Sequence, residues 1–275
     1  MKKLEGNVAI VSGSGRGIGR AIAMKLASEG AKVVVNDLDA DPAEDTVGAI
    51  KAAGGEAMAC AGSVTADGFA EKFVKTAIDG FGGLDIIVNN AGYTWDNVVQ
   101  KMTDEQWHAI LDVHLTAPFK ILRAAADYFR HQSKVEAEAG KEVFRKVVNI
   151  SSVAGTGGNA GQANYSAGKA GIIGLTKALS KEWGRYKVNV NAVAFGLIKT
   201  RLTEATAGGN ASIDVEGRQI KVGVNPELMT MMERTIPLGR GGTPEEAAGS
   251  VYLLCTPESN YISGQVLICG GGISL

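Results

Sequence analysis

The 275-residue sequence has few cysteines and few prolines. Its three cysteines, Cys60, Cys255 and Cys269, lie far apart and form no C-x-x-C pair. This spacing suggests neither a disulfide framework nor a zinc site, and reduced thiols are typical of a cytoplasmic protein. The three histidines also lack the spacing of a ligand group, so we expect no metal site.

Neither sign of charge is in large excess, and long apolar runs are missing. Lys and Arg total 28 against 29 Asp and Glu, for a formal net charge of -1. Such a chain has no general attraction for nucleic acid or an anionic membrane. No apolar run approaches the ~18 residues that span a bilayer, and the N-terminal stretch lacks the apolar region of a signal peptide. Any partner must therefore be recognised locally.

Glycine, by contrast, is abundant, with 37 residues. Short apolar runs rich in β-branched residues alternate with longer segments of helical spacing. The predicted strands are 8–11, 32–35, 56–61, 84–88, 146–150, 188–194 and 265–268, and the predicted helices are 19–29, 42–53, 67–81, 104–129, 163–185 and 244–254. Strands that are apolar throughout are typical of a sheet covered on both faces. The sequence predicts a doubly wound α/β fold, with a parallel sheet of about seven strands, in one domain spanning 1–275.

Two segments depart from this alternation. Residues 131–145 are polar and charged, and we expect them to extend the preceding helix or loop as a solvated face. Residues 207–224 alternate on either side of Glu216-Gly217-Arg218, which predicts a β-hairpin. Because open α/β sheets bind ligands at the carboxyl ends of their strands, residues 202–237 are interpreted as a substrate lid. An oligomer contact and a plain excursion are the alternatives.

A glycine-rich stretch follows the first predicted strand and opens a helix. It reads Ser12-Gly13-Ser14-Gly15-Arg16-Gly17-Ile18-Gly19. Its glycines permit a sharp turn and bring backbone N–H groups and the positive end of the helix against a pyrophosphate. Asp37 follows the second strand, where a carboxylate accepts hydrogen bonds from adenosine ribose hydroxyls. The pattern predicts a dinucleotide cofactor.

Asp37 favours NAD over NADP. A 2′-phosphate ~4 Å from a carboxylate is repelled by ~1 kcal/mol in water, and by ~4 kcal/mol at an effective dielectric constant of about 20. Arg16 favours the opposite choice because a guanidinium in this loop can pair with a phosphate, although it can also cap the loop or stack on adenine. NAD is the expected cofactor and NADP the alternative.

Three residues in the middle of the chain suggest proton-transfer chemistry. Ser152 ends the fifth predicted strand, and Tyr165 and Lys169 lie four residues apart in the next helix, on one face. A phenol with a pKa of ~10 acts near neutral pH only if that pKa falls by about three units, which an ammonium ~4 Å away can supply. We expect Tyr165 to be the acid and base, Lys169 to lower its pKa, and Ser152 to orient a carbonyl oxygen.

The order and spacing of these motifs, together with Asn89-Asn90-Ala91-Gly92, resemble the short-chain dehydrogenase/reductase family along nearly the whole chain. The resemblance implies a seven-stranded Rossmann fold, hydride transfer between a nicotinamide and a carbonyl or alcohol carbon, and a homotetramer. It also implies that Lys169 holds the nicotinamide ribose. The remaining cofactor contacts expected from it are Leu38, Ser63, Val64, Asn90, Ala91, Gly92, Ile198 and Thr200.

His114 stands where the family usually has an asparagine that supports the proton relay through water. The imidazole can orient that water, or it can be a buried, hydrogen-bonded side chain without a catalytic task. Residues 161–169 look like those of 3-oxoacyl-thioester reductases, and residues 33–38 and 113–115 are similar to NAD-linked 3-hydroxyacyl-CoA dehydrogenases. A 3-oxoacyl or 3-hydroxyacyl thioester is therefore the expected substrate. The alternatives are a secondary-alcohol dehydrogenase for a steroid, cyclic alcohol or polyol, and a non-catalytic nucleotide-binding sensor.

Overall fold

The computed structural model describes residues 2–200, 212–221, 223 and 226–273. Nine strands lie in these ranges, seven in one sheet and two in a separate hairpin. In chain order they are β1 (Val8–Val11), β2 (Lys32–Val35), β3 (Glu56–Ala59), β4 (Ile86–Asn89), β5 (Arg145–Ser152), β6 (Val188–Phe195), the hairpin strands β7 (Ser212–Val215) and β8 (Arg218–Lys221), and β9 (Val266–Cys269).

The large sheet has the strand order β3-β2-β1-β4-β5-β6-β9, and all its pairings are parallel. The chain starts in the middle at β1, winds outward to β3, and then returns to the other side of β1. The strand order therefore reverses between β1 and β4, and this switch point opens a crevice at the carboxyl ends of the strands. The predicted doubly wound α/β class is confirmed.

Nine α-helices lie in the described ranges. They are α1 (Gly17–Ser28), α2 (Ala40–Ala52), α3 (Phe69–Phe81), α4 (Asp104–Leu111), α5 (Ala117–Glu138), α6 (Val153–Gly157), α7 (Ala163–Trp183), α8 (Pro226–Thr235) and α9 (Pro244–Cys255). The helix predicted over 104–129 is interrupted, because a π-helical turn over Asp112–Thr116 separates α4 from α5. None of the described helices is both long and apolar enough to cross a bilayer.

Hydrophobic clusters cover both faces of the large sheet. Along β2, Val33 and Val35 belong to the cluster that contains Ile22 of α1, whereas Val34 belongs to the cluster that contains Phe73 of α3. Neighbouring side chains of a strand point to opposite faces, so a strand buried on both faces needs an apolar residue at every position. This is why β2 has valine at all three of its buried positions, 33–35.

The prediction of a solvated face over 131–145 is wrong for its charged end. The Arg145 side chain is 4% exposed and pairs with Glu136 through Nη2–Oε1 (2.5 Å) and Nη1–Oε2 (2.9 Å). Asp85 lies 3.8 Å from Arg145 Nε, and burial raises the pKa of this aspartate. Arg145 is the first residue of β5, an inner strand, where Leu84 and Asp85 just before β4 and Glu136 of α5 surround its guanidinium.

Candidate active site

A cleft of about 800 Å³ opens along the carboxyl edge of the sheet. It receives residues from the glycine-rich loop, the ends of β2, β4, β5 and β6, helix α7 and the hairpin. Every predicted site residue lines it, namely Gly13, Arg16, Gly17, Ile18, Gly19, Asp37, Leu38, Ser63, Val64, Asn90, Ala91, Gly92, His114, Ser152, Tyr165, Lys169, Ile198 and Thr200. Within the described ranges, no three His, Cys, Asp or Glu side chains come together as a metal site.

The glycine-rich loop is held against the end of β4. Asn90 Nδ2 donates to the carbonyl oxygens of Ser12 (3.0 Å) and Gly13 (2.9 Å), and Ser12 Oγ accepts from the backbone N–H groups of Asn90 and Ala91 (3.0 Å each). Gly13 has a φ of +61°, and a Cβ there would lie 2.7 Å from Ala91 Cα. The close approach of the two backbones therefore requires glycine.

The same loop leaves an open cradle at the start of α1. Gly17 has a φ of +54°, and the nearest atom to a Cβ built on it would be Thr200 Cγ2, 3.9 Å away. A side chain at this position would project into the cleft, over the first N–H groups of the helix. These donors and the positive end of the helix fit a pyrophosphate.

Asp37 lies at the end of β2 beside this cradle. Its Oδ2 accepts from the Gly15 N–H (3.1 Å), and its Oδ1 lies 3.6 Å from Arg16 Nη1. The neighbouring Asn36, which sequence reasoning missed, accepts from the Gly13 N–H (3.1 Å) through Oδ1. A carboxylate at this edge of the crevice fits the adenosine ribose diol of a nicotinamide dinucleotide.

Ser152, Tyr165 and Lys169 meet at the other end of the cleft. Ser152 caps α6, where its Oγ accepts from the Ala154 N–H (3.2 Å), and its side chain lowers the pKa of Tyr165. Lys169 Nζ donates to the carbonyl oxygen of Ile150 (2.7 Å) and lies 5.6 Å from the centre of the Tyr165 ring. The spacing in α7 therefore brings the phenol and the amine together, next to the end of β5.

The prediction that Lys169 lowers the pKa of Tyr165 is wrong for this structure. Burial raises the pKa of Tyr165 to about 12, the hydrogen bond with Ser152 lowers it, and the charge of Asp96 raises it further. Burial also lowers the pKa of Lys169 to about 7, so the amine is only partly charged at neutral pH. Tyr165 is consequently a neutral phenol, which is the form that donates a proton.

His114 packs directly against Tyr165 from the π-helical turn. Its Nε2 lies 2.7 Å from the Tyr93 carbonyl oxygen, which fixes Nε2 as the protonated nitrogen. Burial lowers the pKa of His114 well below its usual value, so the imidazole is neutral. Its Nδ1 is buried and has no hydrogen-bond partner among the described residues. The ring fits only because Gly92 has no side chain, since a Cβ there would lie 2.1 Å from Cε1.

Sequence reasoning missed several polar residues on the substrate side of the cleft. Gln162 Nε2 donates to Asp96 Oδ2 (2.7 Å), which ties the segment after β4 to the start of α7. Burial raises the pKa of Asp96. Asp96 and Gln162 lie 66 positions apart, one of them in irregular chain, and no motif signals that they meet.

Residues 212–221 form an antiparallel hairpin beside the cleft. Its turn is Glu216-Gly217, both with positive φ (54° and 80°), and Arg218 begins β8 instead of belonging to the turn. Arg218 Nε donates to Glu105 Oε1 of α4 (3.0 Å), and its guanidinium lies 5.9 Å from the centre of the Trp95 ring. The hairpin is thereby attached to the 93–105 region across the cleft.

Residues 7–210 match the family described as short chain dehydrogenase. The chain belongs to this family. It is 40% identical to a 3-oxoacyl-[acyl-carrier-protein] reductase of Synechocystis sp. over 99% of both chains, and 38% identical to the reductase FabG of Vibrio cholerae over 98% of both. It is 41% identical to a hydroxyacyl-CoA dehydrogenase of Mycobacterium tuberculosis over 98% of this chain and 78% of that one. The protein is an oxidoreductase that acts on CH–OH groups with a nicotinamide cofactor.

Proposed function

We propose that the protein interconverts 3-oxoacyl and 3-hydroxyacyl thioesters with NAD(H). The observation that carries this proposal is the meeting of Ser152, Tyr165 and Lys169 in the cleft that Asp37 enters from the other end. The names of the relatives support the substrate class, since they are reductases and a dehydrogenase of acyl thioesters.

The cofactor would be held by the residues that line the cleft from Asp37 to Tyr165. The backbone of the loop from Gly13 to Gly19, including Ile18, would bind the pyrophosphate, and Asp37 and Leu38 would hold the adenosine ribose. Arg16 would border that ribose, next to Asp37. Ser63 and Val64 would contact the adenine. Asn90, Ala91 and Gly92 would let the cofactor approach the backbone closely, and Ile198 and Thr200 would meet the nicotinamide carboxamide. When bound, the nicotinamide ring supplies or accepts the hydride.

The chain's own residues handle the proton and the substrate oxygen. Tyr165 donates its phenolic proton to the 3-oxo oxygen during reduction, and Ser152 donates a hydrogen bond to that same oxygen. Lys169 holds the nicotinamide ribose hydroxyls. Neutral His114 fixes the position of the Tyr165 ring and presents Nδ1 as an acceptor for a water molecule in the proton relay. Tyr165 is protonated at neutral pH, which is the form that donates this proton.

NAD is the proposed cofactor in preference to NADP. Asp37 brings a negative charge to the ribose position, and Arg16, the cation nearest to it in the loop, is already paired with carboxylates. A 2′-phosphate placed here is repelled by Asp37, and the paired guanidinium of Arg16 offsets little of that repulsion.

The lid, the domain organisation and the assembly are also part of the proposal. The lid is assigned to 202–237 of a single 1–275 domain; of these residues, 202–211, 222, 224 and 225 lie outside the part of the chain that the structure describes. The described hairpin contributes Ile213, Val215 and Arg218 to the cleft. The protein acts in the cytoplasm as a homotetramer. Exposed apolar side chains on α4, α5, α9 and β9 support this assembly, namely Trp107, Phe119, Leu253 and Ile268.

The test is a steady-state assay with acetoacetyl-CoA and either NADH or NADPH. We expect thioester-dependent oxidation of NADH, with a higher kcat/KM than for NADPH. Oxidation of steroid, cyclic or polyol alcohols without thioester reduction would replace the proposal by a secondary-alcohol dehydrogenase. Binding of NADH without turnover of any ketone or alcohol would replace it by a nucleotide-binding sensor.

A further inference from the structure

Arg16 at the end of the glycine-rich loop lies between two carboxylates. Its Nη1 is 3.3 Å from Asp39 Oδ2 and 3.6 Å from Asp37 Oδ1. The Arg16 side chain is 45% exposed, so the direction of the guanidinium depends on these partners instead of on packing. Asp39 is thus positioned to decide where the charge of Arg16 lies.

The ion pair between Arg16 and Asp39 lies next to the residue that is proposed to hold the adenosine ribose, Asp37. Asp37 uses Oδ2 to accept the Gly15 N–H, which leaves Oδ1 on the side of Arg16. In the proposed function Asp37 holds the ribose hydroxyls of the adenosine. The guanidinium of Arg16 therefore borders the place where the 2′-phosphate distinguishes NADPH from NADH.

The surroundings of Arg16 on this side are acidic. A cavity of about 730 Å³ adjoins the glycine-rich loop and is lined by Arg16 and Arg20 together with Asp39, Asp41 and Asp45. Of these three carboxylates, Asp39 is the one for which a contact with Arg16 is observed, and Asp41 shares the cavity from the first turn of α2. The cavity therefore offers a matched pair of aspartates for comparison.

We propose that Asp39 is a specificity-determining residue for the cofactor, because it holds Arg16 in an ion pair and so denies the 2′-phosphate its cation. The inference rests on the proposed binding of NAD(H) in this cleft and extends it. Preference for NADH then has two causes, repulsion by Asp37 and capture of Arg16 by Asp39. A guanidinium released from Asp39 can instead form charge-assisted hydrogen bonds with a phosphate.

The test is a fluorescence titration of NADH and NADPH binding to the purified protein, which requires no turnover. Asp39→Asn removes the charge and keeps the shape, and Asp39 makes no side-chain cap to α2 that the change would break. We expect its affinity for NADPH to rise ~5-fold or more while its affinity for NADH changes by less than about two-fold. Asp41→Asn, which removes the same charge from the same cavity, should change NADPH affinity by less than about two-fold.

A double-mutant cycle with Arg16→Gln separates capture of Arg16 from simple loss of negative charge. If Asp39 acts through Arg16, the gain of Asp39→Asn disappears in the Arg16→Gln background. An equal gain in that background, or equal effects of Asp39→Asn and Asp41→Asn, would overturn the inference and leave NADH binding intact. Failure of the unaltered protein to bind NADH would instead overturn the proposed function.

Discussion

The imidazole of His114 lies edge-on to the ring of Tyr165, with the ring centres 5.0 Å apart and the planes at 88°. The hydrogen bond from Nε2 to the Tyr93 carbonyl oxygen fixes the imidazole in turn. The phenol that we propose as the proton donor is thus positioned from a different helix than its own. This contact links the π-helical turn to catalysis.

His114→Ala should therefore lower kcat much more than it weakens cofactor binding. The change removes the support of the Tyr165 ring, and a displacement of ~1 Å at a reacting group can cost ~10²-fold in rate. We expect kcat to fall between ~10-fold and ~100-fold while the Kd for NADH changes by less than about two-fold. His108→Ala, at an exposed histidine of α4, is the control and should match the unaltered enzyme. An unchanged kcat in His114→Ala would contradict the positioning role.

Tyr165→Phe should abolish most turnover. The substitution removes the proton donor and keeps the ring, and general acid catalysis contributes ~10²- to 10⁴-fold. Single-turnover rates with bound NADH measure this loss directly. The Kd for NADH and the unfolding midpoint should stay close to those of the unaltered protein, as they should in the control Tyr186→Phe. A rate within about three-fold of the original would remove Tyr165 from the mechanism.

The two reaction directions should respond differently to pH. The pKa of Tyr165 is raised to about 12, mainly by burial, so the phenol stays protonated through the neutral range. Reduction uses this protonated form, whereas oxidation needs the phenolate, whose fraction grows as pH rises. The kcat/KM for oxidation of a 3-hydroxyacyl-CoA should therefore increase between about pH 7 and pH 10, and that for reduction should not.

Asp96→Asn should shift the oxidation profile to lower pH. The charge of Asp96 raises the pKa of Tyr165, and asparagine removes that charge while its oxygen still accepts from Gln162. The phenolate then forms at a lower pH. Asp127→Asn, at a side chain that is 91% exposed, should leave the profile in place. A shift of the Asp96→Asn profile to higher pH would contradict this electrostatic link.

Arg218→Gln should impair substrate binding and leave cofactor binding unchanged. The change breaks the bond with Glu105 that attaches the hairpin to the opposite wall of the cleft. We expect the KM for acetoacetyl-CoA to rise ~3- to 10-fold with little change in the Kd for NADH, and Glu105→Gln to reproduce the effect. The control is Arg240→Gln, which breaks the exposed pair between Arg240, in the segment before α9, and Glu246 of α9. Equal KM values for both arginine variants would exclude a lid role for this attachment.

Glu136→Gln should destabilise the fold. It leaves the buried guanidinium of Arg145 without its main counter-charge, and breaking a buried ion pair costs ~3 kcal/mol or more. Urea unfolding followed by far-UV circular dichroism measures the difference. Glu138→Gln affects an exposed pair with Lys134 at 4.0 Å, and it should change the free energy of unfolding by less than ~0.5 kcal/mol. Equal free energies of unfolding for the two variants would show that the pair between Arg145 and Glu136 does not stabilise the fold.

The large sheet was predictable because its inner strands are buried on both faces. Continuous β-branched runs mark such strands, and the predicted bounds 8–11 and 32–35 coincide with β1 and β2. The turn at Glu216-Gly217 follows equally local preferences, since glycine readily adopts the positive φ that a tight hairpin turn needs. Local sequence patterns were therefore sufficient to predict these strands and this turn.

Features that depend on burial, or on contacts between residues far apart in the sequence, were not predicted. The four-residue spacing of Tyr165 and Lys169 gave their shared face, but burial, which spacing does not encode, controls the pKa of both groups. The polar sequence of 131–145 gave no sign that Arg145 is buried, because its partner Asp85 lies in a distant segment, just before β4. The π-helical turn at His114 replaces a stretch whose apolar spacing is that of an ordinary helix.

The hairpin lies outside the large sheet, and its observed ion pair across the cleft joins Arg218 to Glu105. Neither β5, which ends at Ser152, nor β2, which precedes Asp37, pairs with β7 or β8. We therefore expect that the hairpin residues 212–221 can be exchanged between homologous enzymes without disturbing the large sheet. Such chimaeras offer a direct route to altered substrate range with an unchanged reaction chemistry.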